Sequence, residues 1–253
     1  MSFSVIIPSR KIENLNVCIS AIRENEPGVR IIVVDDGVKW PEAGQSWDIQ
    51  DSVIPGEKPF VFATNINKGL SYAMAPRAPW FPGEERVDYG FVLLNDDAIL
   101  QVPGGFSAMA QQWRENPQYG LIGSSIDKCG SPYQHRQLQT GLREVAPMLV
   151  FACVFVPRAT IDRIGLMDER FGVNAGGPGV RGYGCCDDDY SWRVRRAGLK
   201  LGVSDSCFVD HTTLHSTFGH RDSAPGAPKT ADVRLHEKLF REKWGEDAHA
   251  WCR

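Results

Sequence analysis

The sequence predicts an α/β protein with a mostly parallel, Rossmann-like sheet flanked by helices. Three observations carry that expectation. Short continuous apolar runs, Ser4-Val5-Ile6-Ile7-Pro8, Arg30-Ile31-Ile32-Val33-Val34 and Phe91-Val92-Leu93-Leu94, are what strands buried on both faces require. Segments with apolar residues at helical spacing separate these runs, as in consecutive βαβ units. Two of the runs stop in acidic pairs, Asp35-Asp36 and Asp96-Asp97, and open α/β sheets bind ligands at the carboxyl ends of their strands.

Taken in order, residues 4–8 form the first strand. Leu15, Ile19 and Ile22 share a face of a helix over residues 14–23, which Glu26-Pro27-Gly28 breaks. Residues 30–34 form the second strand and run into Asp35-Asp36-Gly37. Phe60-Val61-Phe62-Ala63 is expected as a third strand, with a helix over residues 67–74 behind it. Residues 91–94 make a fourth strand, followed by a helix over 105–115 and a fifth strand over 119–124. The second half is less regular. Residues 148–156 read as a long apolar strand and 159–164 as a short helix. Residues 172–184 are glycine-rich and read as a mobile loop. A helix over 188–197 stops at Gly198, and short strands are expected near 200–203 and 207–209. Residues 225–228 interrupt the chain before an amphipathic helix over about 230–244. There is no internal repeat and no low-complexity segment.

Composition narrows the class. At 253 residues, with 42% hydrophobic and 23% charged residues, the chain can build a core that needs no staples. A net charge of −3 gives no general electrostatic case for nucleic acid or an anionic membrane. The N-terminus does not read as a signal peptide, and no apolar run approaches the ~20 residues that span a bilayer. The seven cysteines form no C-x-x-C pair. Cys18 and Cys153 read as core residues, and the vicinal Cys185-Cys186 has no His or Cys partner at zinc spacing. The expected location is cytoplasmic, with reduced thiols.

The stretch Asn95-Asp96-Asp97 concentrates the chemistry. Adjacent carboxylates repel each other and resist desolvation. A divalent cation relieves both, and Mg²⁺ or Mn²⁺ is commonly held by one or two carboxylates plus substrate phosphates. An aspartate before a helix also serves as a cap. These residues alone leave both readings open.

The order of the motifs resolves more. Ser4 to Ser9, then Ile32-Val33-Val34-Asp35-Asp36-Gly37, then Asn65-Ile66-Asn67-Lys68-Gly69, then Leu94-Asn95-Asp96-Asp97 follow one another. After them come Ile164-Gly165-Leu166-Met167-Asp168-Glu169-Arg170-Phe171, the run Asp187-Asp188-Asp189-Tyr190-Ser191-Trp192-Arg193 continuing to Gly198, and Lys243-Trp244-Gly245. Each motif is weak singly. As an ordered set, covering nearly the whole chain, they resemble the family 2 glycosyltransferases of GT-A fold.

The resemblance implies a set of roles. Pro8 and Ser9 end the first strand at the edge that touches the nucleotide. Asp36 accepts the imide N–H of uracil or thymine, which cytosine lacks, while Asp35 shapes the turn with Gly37. Lys68, on a glycine-containing loop at a helix start, contacts the diphosphate together with nearby N–H groups, while Asn65 and Asn67 form the turn itself and Asn67 counts among the nucleotide-sugar-binding residues. Asn95-Asp96-Asp97 stands at the family's D-x-D motif with asparagine as its first member. Asp97 is the metal ligand, and Asp96 lies nearer the sugar or ribose. His211, ending a strand, is the second metal ligand, with His215 and His220 as further candidates. Asp187 matches the catalytic base, although Cys186 replaces the glutamate usual before it. Residues 212–228 are rich in Gly, Ser, Thr and Pro and form a lid.

The resulting expectation is one GT-A domain over 1–253. Its nucleotide-sugar-binding half spans 1–125; its acceptor-binding half, 126–253, holds a smaller acceptor-side region and the C-terminal helix. It would transfer a sugar, with inversion, from a nucleotide-diphosphate donor, UDP-linked by preference. The hydroxyl acceptor is a glycan, protein, small molecule or modified nucleic acid, and the cofactor is Mn²⁺ or Mg²⁺. A sugar-nucleotidyltransferase would carry a glycine-rich basic loop after the first strand, and Ser9-Arg10-Lys11-Ile12 has no glycine. A non-catalytic nucleotide-sugar-binding protein differs only in lacking turnover.

Overall fold

The structure, a computed structural model, describes residues 2–38, 51–57, 61–75, 88–127, 129, 131–137, 141–145, 147–171, 184–214 and 231–251. Its strands are β1 (Ser2–Ser9), β2 (Arg30–Asp35), β3 (Ser52–Pro55), β4 (Asp88–Leu94), β5 (Ile99–Leu100), β6 (Tyr119–Ile126), β7 (Leu142–Val145), β8 (Cys153–Pro157) and β9 (Lys200–Asp210). Its helices are α1 (Ile12–Asn25), α2 (Phe62–Met74), α3 (Gly105–Glu115), α4 (Arg158–Ile164), α5 (Cys186–Arg196), α6 (Ala231–Trp244) and α7 (Glu246–Trp251).

All nine strands join one sheet in the order β3-β2-β1-β4-β8-β6-β9-β5. The far side of β9 is shared, with β7 pairing residues 201–204 and β5 pairing residues 209 and 210. The continuous apolar runs are explained by burial on both faces. Val5, Ile7, Val33, Val92 and Leu94 pack with Leu15 and Ile22 of α1 and Phe106 and Met109 of α3. Ile6, Ile32, Val34, Phe91 and Leu93 pack on the other face with Ile66 and Leu70 of α2 and Tyr190 and Val194 of α5.

Strand direction decides where the chemistry can assemble. β1, β2, β3 and β4 are mutually parallel. β8 enters beside β4 antiparallel, and β6 is antiparallel to β8, so β6 runs along β4 again. β9 is parallel to β6. The carboxyl ends of β1, β2, β4, β6 and β9 therefore emerge on one edge, which is where a doubly wound sheet places its ligand. The expected parallel sheet is thus realised in the first four strands, while the second half is mixed.

Several elements differ from the expectation. Phe62 and Ala63 are not a strand but open α2, five residues before the expected helix start; Phe60 lies outside the described residues. Ala63, Ile66 and Leu70 recur at helical spacing and bury against the sheet. Gly69 makes that approach possible, since a Cβ there would lie 2.4 Å from Ile6 Cγ2. The third strand is instead Ser52–Pro55. Residues 148–152 are not strand either. Side chains take their backbone donors, with Leu149 N–H on Ser191 Oγ (3.2 Å) and Val150 N–H on Gln134 Oε1 (2.5 Å), and β8 begins only at Cys153. The two short strands expected near 200–209 are one strand, β9, whose register on β6 shifts between Ser204 and Phe208. The expected loop at residues 172–184 falls, up to residue 183, outside the described residues. So do residues 215–228 of the expected lid, with His215 and His220.

Candidate functional site

The edge begins where β1 meets β4. Ser9 donates its hydroxyl to Asp96 Oδ2 at 2.7 Å. The Asp96 carboxylate also takes the backbone N–H of Arg10 and the side chain of Asn14. Burial pushes the Asp96 carboxyl up to about 6; the charge of Asp97 adds to this, while the hydrogen bonds from Ser9, Arg10 and Asn14 hold it down. Asp96 thus fixes the turn from β1 into α1. Pro8 lies beyond the last β1–β4 pair, Ile6 with Leu93, so its missing N–H interrupts nothing on that side.

One residue further, Asp97 meets the end of β9. His211 Nε2 lies 3.2 Å from Asp97 Oδ1. The His211 backbone is held by Asp127, just past β6, which accepts the His211 backbone N–H at 3.0 Å and the Thr212 hydroxyl at 2.6 Å. Asp210 organises the following turn by accepting the N–H groups of Thr212 and Thr213 and the Thr213 hydroxyl. Slight burial raises its carboxyl, but the bonds from Thr213 and Thr212 outweigh that and bring it down to about 2.

At the end of β2, Asp35 Oδ1 accepts the N–H groups of Gly37 and Val38, both at 2.7 Å, and shapes the turn. Asp36 lies beside β1 through its N–H to Ser9 O at 2.9 Å. Its buried carboxylate faces Arg10 Nε at 3.8 Å.

Asn67 and Lys68 lie inside α2 rather than on a loop at a helix start. Asn67 is buried. Its amide donates to Met167 O and Glu169 Oε1, both at 2.9 Å, and accepts Met167 N–H at 3.0 Å. It clasps α2 to the 167–171 turn. Lys68 is partly exposed and pairs with Glu57 at 2.7 Å.

The acidic run opens α5. The helix starts at Cys186, so Asp187 is its second residue and not its cap. The cap position is Cys185, at φ 53 and without a side-chain cap bond. Because α5 leads into the start of β9, its first turn lies at the same sheet edge as His211. Asp187 is half-buried, and its Oδ1 accepts the Asp188 N–H at 3.1 Å. Asp188 and Asp189 are buried. Asp189 Oδ1 accepts Lys243 Nζ and Trp244 Nε1, both at 2.7 Å. It is committed to α6, which leaves Asp187 as the run's accessible acid.

The donor set suits a divalent cation. Neighbouring ligands of an octahedral ion with bonds of about 2.1 Å lie about 3 Å apart, close to the Asp97–His211 separation. Among the described residues no group of three or more His, Cys, Asp or Glu side chains could hold a metal. Other positions would fall to substrate oxygens and water, as is usual where phosphates share the ion.

Comparison with solved structures gives the architecture its name. The chain aligns over 98% of its length with 49% of GalNAc-T7, solved with UDP, GalNAc and Mn²⁺, at a TM-score of 0.70 and 11% identity. It also aligns, again over 98%, with residues 1–349 of S. aureus TarS (68% of that chain, TM-score 0.54, 13% identity) and with a longer TarS structure (41%, 0.56, 14%). The chain has the GT-A fold. It spans about half the length of GalNAc-T7. No family model and no curated protein matches it.

Sequence reasoning missed two groups that brace this edge. Asp127 carried no motif, although it ends an apolar strand as Asp36 and Asp97 do. The Asp189–Lys243–Trp244 cluster joins segments 54 and 55 residues apart, a separation no local pattern reveals.

Proposed function

We propose that the chain is a metal-dependent, inverting glycosyltransferase of family 2. It would move a sugar from a UDP-linked donor to a hydroxyl acceptor. The observation that carries this is the convergence, on the carboxyl edge of one GT-A sheet, of the Asp97–His211 pair, the Asp36 carboxylate and the first turn of α5 with Asp187. That GalNAc-T7 holds UDP, GalNAc and Mn²⁺ on the same fold supports the reading.

Residues 1–125 would bind the nucleotide-sugar and 126–253 the acceptor. Asp36 would accept the uracil imide N–H, as Ser9 and Pro8 line the nucleotide edge and Asp96 shapes the floor beneath ribose and sugar. Asp97 and His211 would hold Mn²⁺ or Mg²⁺, whose charge neutralises the departing diphosphate as a Lewis acid does. Asp187, in the first turn of α5, would take the proton from the acceptor hydroxyl as it attacks an oxocarbenium-like centre from the face opposite the leaving group. The acceptor would be a glycan, protein, small molecule or modified nucleic acid. Among the described residues no helix is long and apolar enough to cross a membrane.

A panel of UDP-, GDP- and CDP-sugars, read by released nucleotide with Mn²⁺ and then with chelator, tests the reading. Turnover of a UDP-sugar that chelator abolishes is expected. UDP binding without turnover of any donor would identify a binding protein instead, and absence of both would remove the reading altogether.

A further inference from the structure

The geometry points to helix α6 as a positioning device for the first turn of α5, with Asp189, Lys243 and Trp244 as its positioning residues. This rests on Asp187 being the base. The start of α5 needs such support. Cys185 is the one non-glycine residue at positive φ among the described residues, and no side-chain bond caps the helix it opens. A left-handed non-glycine residue persists only where its surroundings impose it, and an uncapped first turn tends to fray.

α6 grips that turn on both sides. Before it, the buried His236 ring lies against Gly184 so closely that a Cβ there would come within 2.3 Å of Nδ1. After it, Asp189 closes a helical bond from its N–H to Cys185 O at 2.9 Å. Its Oδ1 receives both Lys243 Nζ and Trp244 Nε1. Lys243 Nζ continues to Asp168 Oδ2 at 2.8 Å, and Phe240 packs on Phe171 with ring centroids 6.2 Å apart, so α6 also fastens the 167–171 turn. Asp187 lies between the two grips, three residues after Gly184 and two before Asp189. Asp189 is 1% exposed, with Lys243 Nζ at 2.7 Å and Arg193 Nη1 at 3.8 Å, and a buried carboxylate that loses the nearer of its cations is destabilised. The direction of the Asp187 carboxylate is therefore set by a backbone held from α6, and a misplacement of about 1 Å at a reacting group lowers rate roughly 100-fold.

Three variants test this on the full chain: Lys243→Met, Lys243→Arg and Trp244→Phe. Each is read by kcat and KM for UDP release from the preferred UDP-sugar, by UDP affinity, and by hydrogen exchange of amides 186–190. Lys243→Met should lower kcat about ten- to hundredfold, leave donor KM and UDP affinity within about twofold, and speed exchange in that turn. Lys243→Arg should restore most of kcat, and Trp244→Phe should fall between. Wild-type kcat in Lys243→Met, or loss of kcat and UDP affinity together, overturns the positioning role. If Lys243→Met does not fold, Trp244→Phe decides, since it removes one hydrogen bond and keeps the ring; unchanged kcat and exchange there overturn it. If the wild type turns over no donor, the proposed function fails, and the exchange measurement still decides whether α6 holds α5.

Discussion

His211 Nε2 and Asp97 Oδ1 lie 3.2 Å apart although 114 residues separate them in the chain. They meet because β9 and β4 run the same way and end on the same edge. Asp127 fixes the histidine backbone, so the pair is built rather than incidental. If it holds a cation under the diphosphate, UDP affinity in Mn²⁺ should fall about ten- to hundredfold in Asp97→Ala or with chelator, as for loss of a charged contact. His211→Ala should weaken it in the same direction. Calorimetry giving equal UDP affinity with and without Mn²⁺ would remove the metal from these residues.

The carboxylate of Asp36 lies beside the end of β1, with Arg10 as its neighbour. If it accepts the imide N–H, UDP should outcompete CDP by about ten- to hundredfold, the worth of a charged hydrogen bond. Asp36→Asn should narrow that gap, because a neutral amide oxygen is a weaker acceptor. Competition in which both nucleotides bind equally well to the wild type would assign Asp36 to the turn alone.

The elements that position the site were readable where burial on both faces left an unbroken apolar run, as in β1, β2 and β4. The places of Asp36, Asp97 and His211 beyond strand ends were readable because they follow such runs. What stayed hidden depends on distant partners. Nothing local tells that β8 inserts antiparallel between β4 and β6, and β7 is too short and too half-exposed to announce itself. Phe60-Val61-Phe62-Ala63 looks like a strand because its residues are apolar. Yet Ala63, Ile66, Gly69 and Leu70 carry the helical period and the small residue that packs on Ile6. That misreading also put Asn67 and Lys68 on a loop.

The true placement of Asn67 separates a clasp from a ligand. Asn67→Ala strips partners from the backbone N–H and carbonyl of buried Met167, which should lower stability by about 2–4 kcal/mol. Lys68→Ala removes only a surface ion pair, worth about 0–1 kcal/mol. Urea unfolding and UDP titration of both variants check this. A large loss of UDP affinity in Lys68→Ala at unchanged stability would return the lysine to the diphosphate.

Asp168 makes the α6 cluster sensitive to pH. Its hydrogen bond from Arg170, and after it that from Lys243, hold its carboxyl well below the ordinary carboxylate value. A carboxyl lower in the folded than in the unfolded chain stabilises the fold when ionised. That contribution is complete above about pH 4 and is lost as pH falls below it. Lys243→Met should therefore be less stable than the wild type at pH 7, with a gap that shrinks towards pH 3. Thermal melts across that range showing a constant gap would mean that Lys243 stabilises by packing and not by charge.

If Asp187 is the base, its substitution decides the mechanism. Asp187→Asn keeps the size and leaves the helix start intact, since Asp187 is not the cap, but an amide cannot take a proton from a hydroxyl. Transfer should fall by about two to four orders of magnitude. UDP affinity should barely change, because the diphosphate would be held at Asp97 and His211, past the ends of β4 and β9. The neighbours give the contrast. Asp189→Asn leaves Lys243 facing a neutral amide, so it should lower the melting temperature as well as activity, whereas Asp187→Asn should leave the melting temperature nearly unmoved. Asp188→Asn should be the mildest for turnover. Near-normal turnover in Asp187→Asn, with a collapse in Asp188→Asn at unchanged stability, would shift the base by one position. Turnover surviving all three substitutions would place it outside α5.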